Sequence, residues 1–350
     1  MNPEAREETV LQAIGERRQI VNDAIPEDLP VDEPERLYEA SRYLLDAGGK
    51  RLRPAILLLV GEALVDVDPL GRSYREFPTV LPEEPPIDLL SAAVSVETIQ
   101  SFTLIHDDIM DEDEMRRGVP AVHVEYDPET AILAGDTLYS KAFEIMLDTG
   151  APPDRALDAL DKLASTCTRI CEGQSLDVDF ESREDVTPEE YIDMVDRKTA
   201  VLYAASAGIP AILLGADEET RTALSEYGRS IGTAFQIHDD VLDLTVPSED
   251  LGKQRGSDLV EGKQTAVTLH ARNRGVDVEN LVDAETPEAV TEAAIDDALA
   301  TLEAAGSIEY ARSVAREYVE EGKAHLEVLP DNEARTRLEQ VADYLIERGY

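Results

Sequence analysis

Two aspartate clusters carry the most conspicuous chemistry in this chain. Asp107, Asp108 and Asp111 lie in Ile105-His106-Asp107-Asp108-Ile109-Met110-Asp111, and Asp239, Asp240 and Asp243 lie in Ile237-His238-Asp239-Asp240-Val241-Leu242-Asp243. On a helix, the first and last carboxylates of DDxxD share a face one turn apart, with the second close by. Three carboxylates so placed repel one another unless a cation sits among them. Hard oxygen donors suit Mg2+, which a protein usually holds through one or two carboxylates, leaving its other positions to water and substrate phosphate. Two such helices facing each other would grip a diphosphate through metal. The chain has 34 Asp in 350 residues, so one bare DDxxD arises by chance about 0.3 times. Two copies inside matching aliphatic runs are much harder to obtain that way, which favours a metal site over a solvated acidic face. His106 and His238 precede the pairs but point about 100° away around a helix, so neither is taken as a ligand.

The basic residues are the second clue. Lys+Arg number 32 against 75 Asp+Glu, for a net charge of -43. A surface this acidic suits a salt-loaded cytoplasm, where screening is short-ranged, and no nucleic-acid partner is expected of it. Only seven residues are lysine, and four of them, Lys50, Lys198, Lys253 and Lys263, stand beside glycine or threonine. Lysines kept at such places read as compact point charges for an anion. The first residues have no apolar signal core, and the aliphatic stretch from Ala55 to Val60 is far too short for a bilayer. The expectation is a soluble cytoplasmic protein with no stable membrane insertion. Cys167 and Cys171, four apart, read as two small buried hydrophobes.

Helices must position these groups. Apolar periodicity predicts them over about 4–23, 34–47, 52–65, 87–109, 130–147, 153–174, 188–206, 217–243, 263–273, 288–304, 308–325 and 332–348, with no convincing strand. Proline breakers separate them, and residues 66–87 form a Pro-rich, charged surface excursion. The chain reads as all-α and as one domain over 1–350, because nothing divides it into halves with separate cores.

Over most of its length the chain resembles the trans-isoprenyl diphosphate synthases, or polyprenyl synthetases. The motifs come in that family's order: Gly48-Gly49-Lys50-Arg51-Leu52-Arg53-Pro54; the first DDxxD with Arg116-Arg117-Gly118; Gly173-Gln174 with Asp177; Lys198-Thr199-Ala200; Phe235-Gln236 leading into the second DDxxD; then Gly252-Lys253, Asp258 and Gly262-Lys263. The resemblance implies a single-domain antiparallel helix bundle of the isoprenoid synthase type with a central active-site cavity. It also implies a homodimer and three Mg2+ ions per site, with Mn2+ able to substitute. Asp107, Asp111 and Asp239 would be direct ligands, and Asp108, Asp240 and Asp243 would act behind them or through water. Arg116, Lys198 and Lys253 would reach the allylic diphosphate; Lys50, Arg53, Gln100 and Arg117 would hold isopentenyl diphosphate; Lys263 belongs to the loop after the second motif. Ionisation of the allylic partner leaves a carbocation, which the weak dipoles around Lys198, Thr199 and Gln236 would stabilise without trapping it. Gln100 stands where many members carry histidine.

Product length would be set along the helix before Asp107. Phe102 lies about 7.5 Å upstream at helical rise, and in the family bulk at that depth is a floor. With Phe102 large and Thr103 small, the pattern resembles an archaeal-type, short-chain geranylgeranyl (C20) synthase from a halophile, using dimethylallyl, geranyl and farnesyl primers. Farnesyl (C15) output is the nearest rival, and a C25 product or a non-catalytic regulatory subunit comes after it. A class I terpene cyclase is disfavoured by the second DDxxD and by the Gly48–Pro54 segment.

Overall fold

A computed structural model describes residues 3–183, 185–248, 254–282 and 289–347, with side chains from residue 7 onward. Lys253, named above, and the end Arg348-Gly349-Tyr350 lie outside the described residues. The fold is all-α, as the periodicity predicts. Its helices are α1 (Pro3–Asp28), α2 (Glu35–Asp46), α3 (Leu52–Val65), α4 (Leu89–Met110), α5 (Val122–Glu125), α6 (Pro128–Leu147), α7 (Pro153–Phe180), α8 (Pro188–Val195), α9 (Val201–Leu214), α10 (Glu218–Thr245), α11 (Ser257–Val260), α12 (Ala266–Asn273), α13 (Glu292–Ala304), α14 (Ser307–His325) and α15 (Glu333–Glu347). Two two-residue strands, β1 (Met115–Arg116) and β2 (Val119–Pro120), pair antiparallel. They are too short to leave a period-two signal in the sequence.

Contacts group the chain into two compact units. The first comprises 1–167, 204–225 and 326–341; the second comprises 168–203, 226–325 and 342–350. In the first, α4 packs chiefly on α6 and α3. Helix α3 is buried from Leu52 to Ala63 except at Arg53, and burial of this order along an apolar helix is the dominant stabilising term. Its one buried acid, Glu62, accepts from Arg17 Nη2 at 2.5 Å and from the Tyr74 hydroxyl. Tyr74, Phe77 and Ile87 are buried and pin down the otherwise largely exposed 66–87 excursion, where Phe77 and Ile87 exchange backbone hydrogen bonds. In the second unit α12 packs on α14, with the His270 and Tyr310 rings stacked 4.3 Å apart. Cys167 is buried but Cys171 is exposed, so only one of the pair serves as a core hydrophobe. Among the described residues no helix is long and apolar enough to cross a membrane.

Candidate active site

In the first unit, α4 delivers the first aspartate cluster at its C-terminal end. Asp88 caps its start by accepting from Ser91 N, and the helix stops at the motif itself because Glu112 takes a left-handed φ of 56°. The cluster divides by exposure. Asp111 is exposed and Asp107 half-buried, whereas Asp108 is 0% exposed. Asp108 accepts from Arg116 Nε at 2.6 Å, and Arg116 Nη2 reaches Asp113 at 2.6 Å. Burial raises the Asp108 pKa against the opposing pull of Arg116; burial also weighs on Arg116, but Asp108 and Asp113 carry its pKa upward.

Arg117 and Gly118 form the turn of the β1–β2 hairpin, with φ of 54° and 77°. That is the two-residue turn whose twist matches paired strands, and a non-glycine residue in it costs about 1–2 kcal/mol. Arg117 is held there by Nη1 on Leu44 O and Nη2 on Glu97 Oε1, both at 3.0 Å. The same Glu97 oxygen accepts from the buried Arg51. Burial lowers the Arg117 pKa despite Glu97. A Cβ on Gly49 would meet Arg117 Cζ at 3.0 Å, so the Gly48-Gly49 turn passes directly over this guanidinium. Lys50 is exposed in that turn, Arg53 is half-buried in the first turn of α3, and Gln100 is half-buried on α4. The first unit thus gathers Asp107, Asp108, Asp111 and Arg116 at one end of α4, with Phe102 and Thr103 further back along it and the Arg117 guanidinium further back still, on Glu97. Phe102 is 9% exposed.

In the second unit the backbone between α8 and α9 is π-helical over Asp196–Ala200, the stretch that carries Lys198 and Thr199. Widened turns of this kind occur frequently at functional sites. Two glycines let helices close on it: a Cβ on Gly173 of α7 would lie 2.3 Å from Lys198 N, and one on Gly232 of α10 would lie 2.7 Å from Ala200 Cα. Arg169 and Arg229 hold Asp196 at 2.6 and 2.5 Å, fixing the start of the turn. Lys198 Nζ bonds to Asp177. Thr199 Oγ1 donates to Gln236 Oε1 at 2.9 Å, Gln236 Nε2 donates to Asp240 Oδ1 at 3.0 Å, and the Tyr191 hydroxyl donates to Asp240 Oδ2 at 2.5 Å. This chain of bonds orients the Gln236 amide from behind.

The second cluster also divides by exposure, but with two of its three members buried. Asp239 is half-buried, while Asp240 and Asp243 are 5% and 1% exposed. Burial, reinforced by Asp258, pushes Asp240 up to about 8. Asp243 ties down the next segment, accepting from Ser257 Oγ at 3.1 Å and Asp258 N at 3.3 Å through its side chain, and from Gly256 N at 2.8 Å through its carbonyl. Lys263 lies in that segment, 2.9 Å from Glu261. Gln174 is 9% exposed and neither amide atom has a hydrogen-bond partner among the described residues. No group of three His, Cys, Asp or Glu side chains able to hold a metal occurs among the described residues.

Sequence reasoning missed Glu97 and Tyr191. Glu97 did leave a trace, as a lone carboxylate inside the apolar run Leu89–Ile99, which must find a buried cationic partner or stay neutral. Nothing in the sequence marks Tyr191.

The model of the polyprenyl synthetase family matches residues 34–301. The geranylfarnesyl diphosphate synthase of Natronomonas pharaonis is 67% identical over 97% of this chain and 98% of its own. The geranylgeranyl diphosphate synthase of Methanosarcina mazei is 52% identical over 98% and 99%. Among solved structures, the geranylgeranyl pyrophosphate synthetase from the archaeon Geoglobus acetivorans superposes with a TM-score of 0.83 at 45% identity, covering 96% of this chain and 99% of that one. The chain belongs to the polyprenyl synthetase family, as a short-chain prenyl diphosphate synthase of the archaeal kind, a transferase.

Proposed function

We propose that the enzyme condenses isopentenyl diphosphate with dimethylallyl, geranyl and farnesyl diphosphates to give geranylgeranyl diphosphate, releasing diphosphate at each step. The observation that carries the metal chemistry is the division within both clusters. Asp107, Asp111 and Asp239 retain access to solvent, whereas Asp108, Asp240 and Asp243 are buried and hydrogen-bonded to the protein. The accessible three are hard oxygen donors, few enough to leave coordination positions for phosphate, which fits Mg2+. The buried three orient what the accessible ones hold. The family uses divalent metal ions; three Mg2+ per site, with Mn2+ as substitute, is our reading for this chain. Such ions would neutralise the departing diphosphate.

The chain's own residues supply the rest. Arg116 and Lys198, each set by a neighbouring carboxylate, and Lys253 bind the allylic diphosphate, and Lys263 is a further substrate-binding residue. Lys50, Arg53, Gln100 and Arg117 bind isopentenyl diphosphate. When the C1–O bond of the allylic partner breaks, Thr199 and Gln236 present dipoles, not nucleophiles, to the cation. The new C–C bond then forms and the released diphosphate takes the proton. The same reading makes residues 1–350 one catalytic domain of a cytoplasmic homodimer.

A C20 product is supported by Phe102, whose ring is buried at the depth where bulk stops elongation. A C25 product is the second reading, favoured by the 67% identity to a geranylfarnesyl synthase. Incubation with labelled isopentenyl diphosphate, each primer in turn and Mg2+ at molar KCl separates the two: C20 from all three primers supports the first, whereas continuation to C25 overturns it.

A further inference from the structure

The ring that would stop the growing tail is itself held by two neighbouring rings. His106, one turn after Phe102 on α4, lies edge-on to it with ring centroids 4.9 Å apart. Tyr139 of α6 meets Phe102 edge-on at 5.3 Å, and Phe143, one turn further along α6, meets Tyr139 edge-on at 5.2 Å. Edge-to-face rings at these separations attract by about 0.5–1.5 kcal/mol per pair beyond their burial. His106 is fixed in turn, with Nε2 at 3.3 Å from Ile132 O. Its ring lies where a side chain at position 135 would be, since a Cβ on Gly135 would stand 2.2 Å from Nε2. Phe102 is therefore braced by one ring from its own helix and by one from α6, and α6 gives up a side chain at Gly135 to admit the first.

We propose that Tyr139 is a specificity-determining, positioning residue: by backing the Phe102 ring it fixes the depth of the pocket, and thereby the length at which elongation stops. The inference rests on the reading of Phe102 as the floor. Removing the Tyr139 ring leaves Phe102 free to swing toward α6 without touching the diphosphate-binding residues, so chain length changes while the first condensation does not. The ring contact carries this role, and Y139F keeps the ring.

The test compares the full-length wild type with Y139A, Y139L, Y139F and F102A at molar KCl with Mg2+, resolving products by length and measuring initial rates with dimethylallyl diphosphate. Y139A is expected to raise the share of products longer than the wild type's by about tenfold, the discrimination that lost packing in a hydrophobic pocket allows. Its initial rate should be unchanged. Y139L, which keeps apolar bulk and guards against a folding failure of Y139A, should also lengthen the product, and Y139F should restore the wild-type length. If F102A lengthens the product but neither Y139A nor Y139L does, Tyr139 has no part in setting length and the inference is overturned. If F102A itself leaves the length unchanged, the floor reading fails first and takes this inference with it.

Discussion

Glu97 anchors Arg117: its Oε1 accepts from Arg117 Nη2 at 3.0 Å while also accepting from the buried Arg51. One carboxylate thus serves two guanidiniums, one structural and one proposed to bind isopentenyl diphosphate. The Arg51 and Glu97 side chains are 0% and 3% exposed, so E97Q leaves a buried cation without its counter-charge and should cost about 3 kcal/mol of stability. Loosening Arg117 should raise the KM for isopentenyl diphosphate about tenfold, the worth of one charge-assisted hydrogen bond. The KM for the allylic partner should stay where it is. Denaturant unfolding and steady-state kinetics with each substrate varied read the two effects; equal rises in both KM values would refute the selective role.

The unequal burial of neighbouring aspartates makes a second prediction. Asp111 is exposed, and D111N should leave stability within about 0.5 kcal/mol of wild type while weakening the binding of inorganic diphosphate in the presence of Mg2+. Asp108 is buried against Arg116, so D108A should destabilise the fold by about 2 kcal/mol even without metal. Titration calorimetry together with thermal melts distinguishes them. Comparable destabilisation by the two substitutions would show that exposure does not separate their roles.

The helices that carry the two aspartate clusters of the candidate site were legible in the sequence because each cluster is local. DDxxD fixes which carboxylates share a helix, and Arg116-Arg117-Gly118 lies only a few residues beyond the first copy. Exposure was not legible within the motif, since nothing in Asp107-Asp108 states which of the pair meets Arg116. Nor was the π-helical turn at Asp196–Ala200, because it depends on α7 and α10 crossing at Gly173 and Gly232, residues remote in sequence. The hairpin at Met115–Pro120 escaped for another reason: its left-handed Arg117 is held by Glu97 and Leu44, not by local preference.

Asp240 should impose a pH dependence on the metal-free protein. Its pKa lies at about 8 against an ordinary 3.8, through burial and the nearby Asp258. Between about pH 4 and 8 the native state therefore binds a proton that the unfolded chain does not, and stability falls as pH rises through that window. D240N, which keeps an oxygen for the Tyr191 hydroxyl but turns an NH2 toward the Gln236 amide nitrogen, should cost some stability throughout yet flatten that fall, standing closer to wild type at pH 8 than at pH 5. Urea midpoints at both pH values, in molar KCl with chelator, decide it; parallel profiles for wild type and D240N would remove Asp240 as the source.

One substitution made at two helix glycines should have opposite signs. A Cβ on Gly15 of α1 meets nothing within 4 Å, so G15A should be neutral or stabilise by up to about 1 kcal/mol through the entropy of the unfolded chain. A Cβ on Gly173 would stand 2.3 Å from Lys198 N and 2.7 Å from Arg197 C. These are backbone atoms, which cannot rotate aside, so α7 must retreat from the turn bearing Lys198 and Thr199. G173A should cost about 1–3 kcal/mol, and it should lower kcat because Lys198 and Asp177 are parted and Thr199 shifts against Gln236. Because Lys198 is proposed to bind the allylic diphosphate, G173A should also weaken the binding of inorganic diphosphate in the presence of Mg2+. A G173A enzyme with wild-type kcat would mean that the close crossing serves packing only.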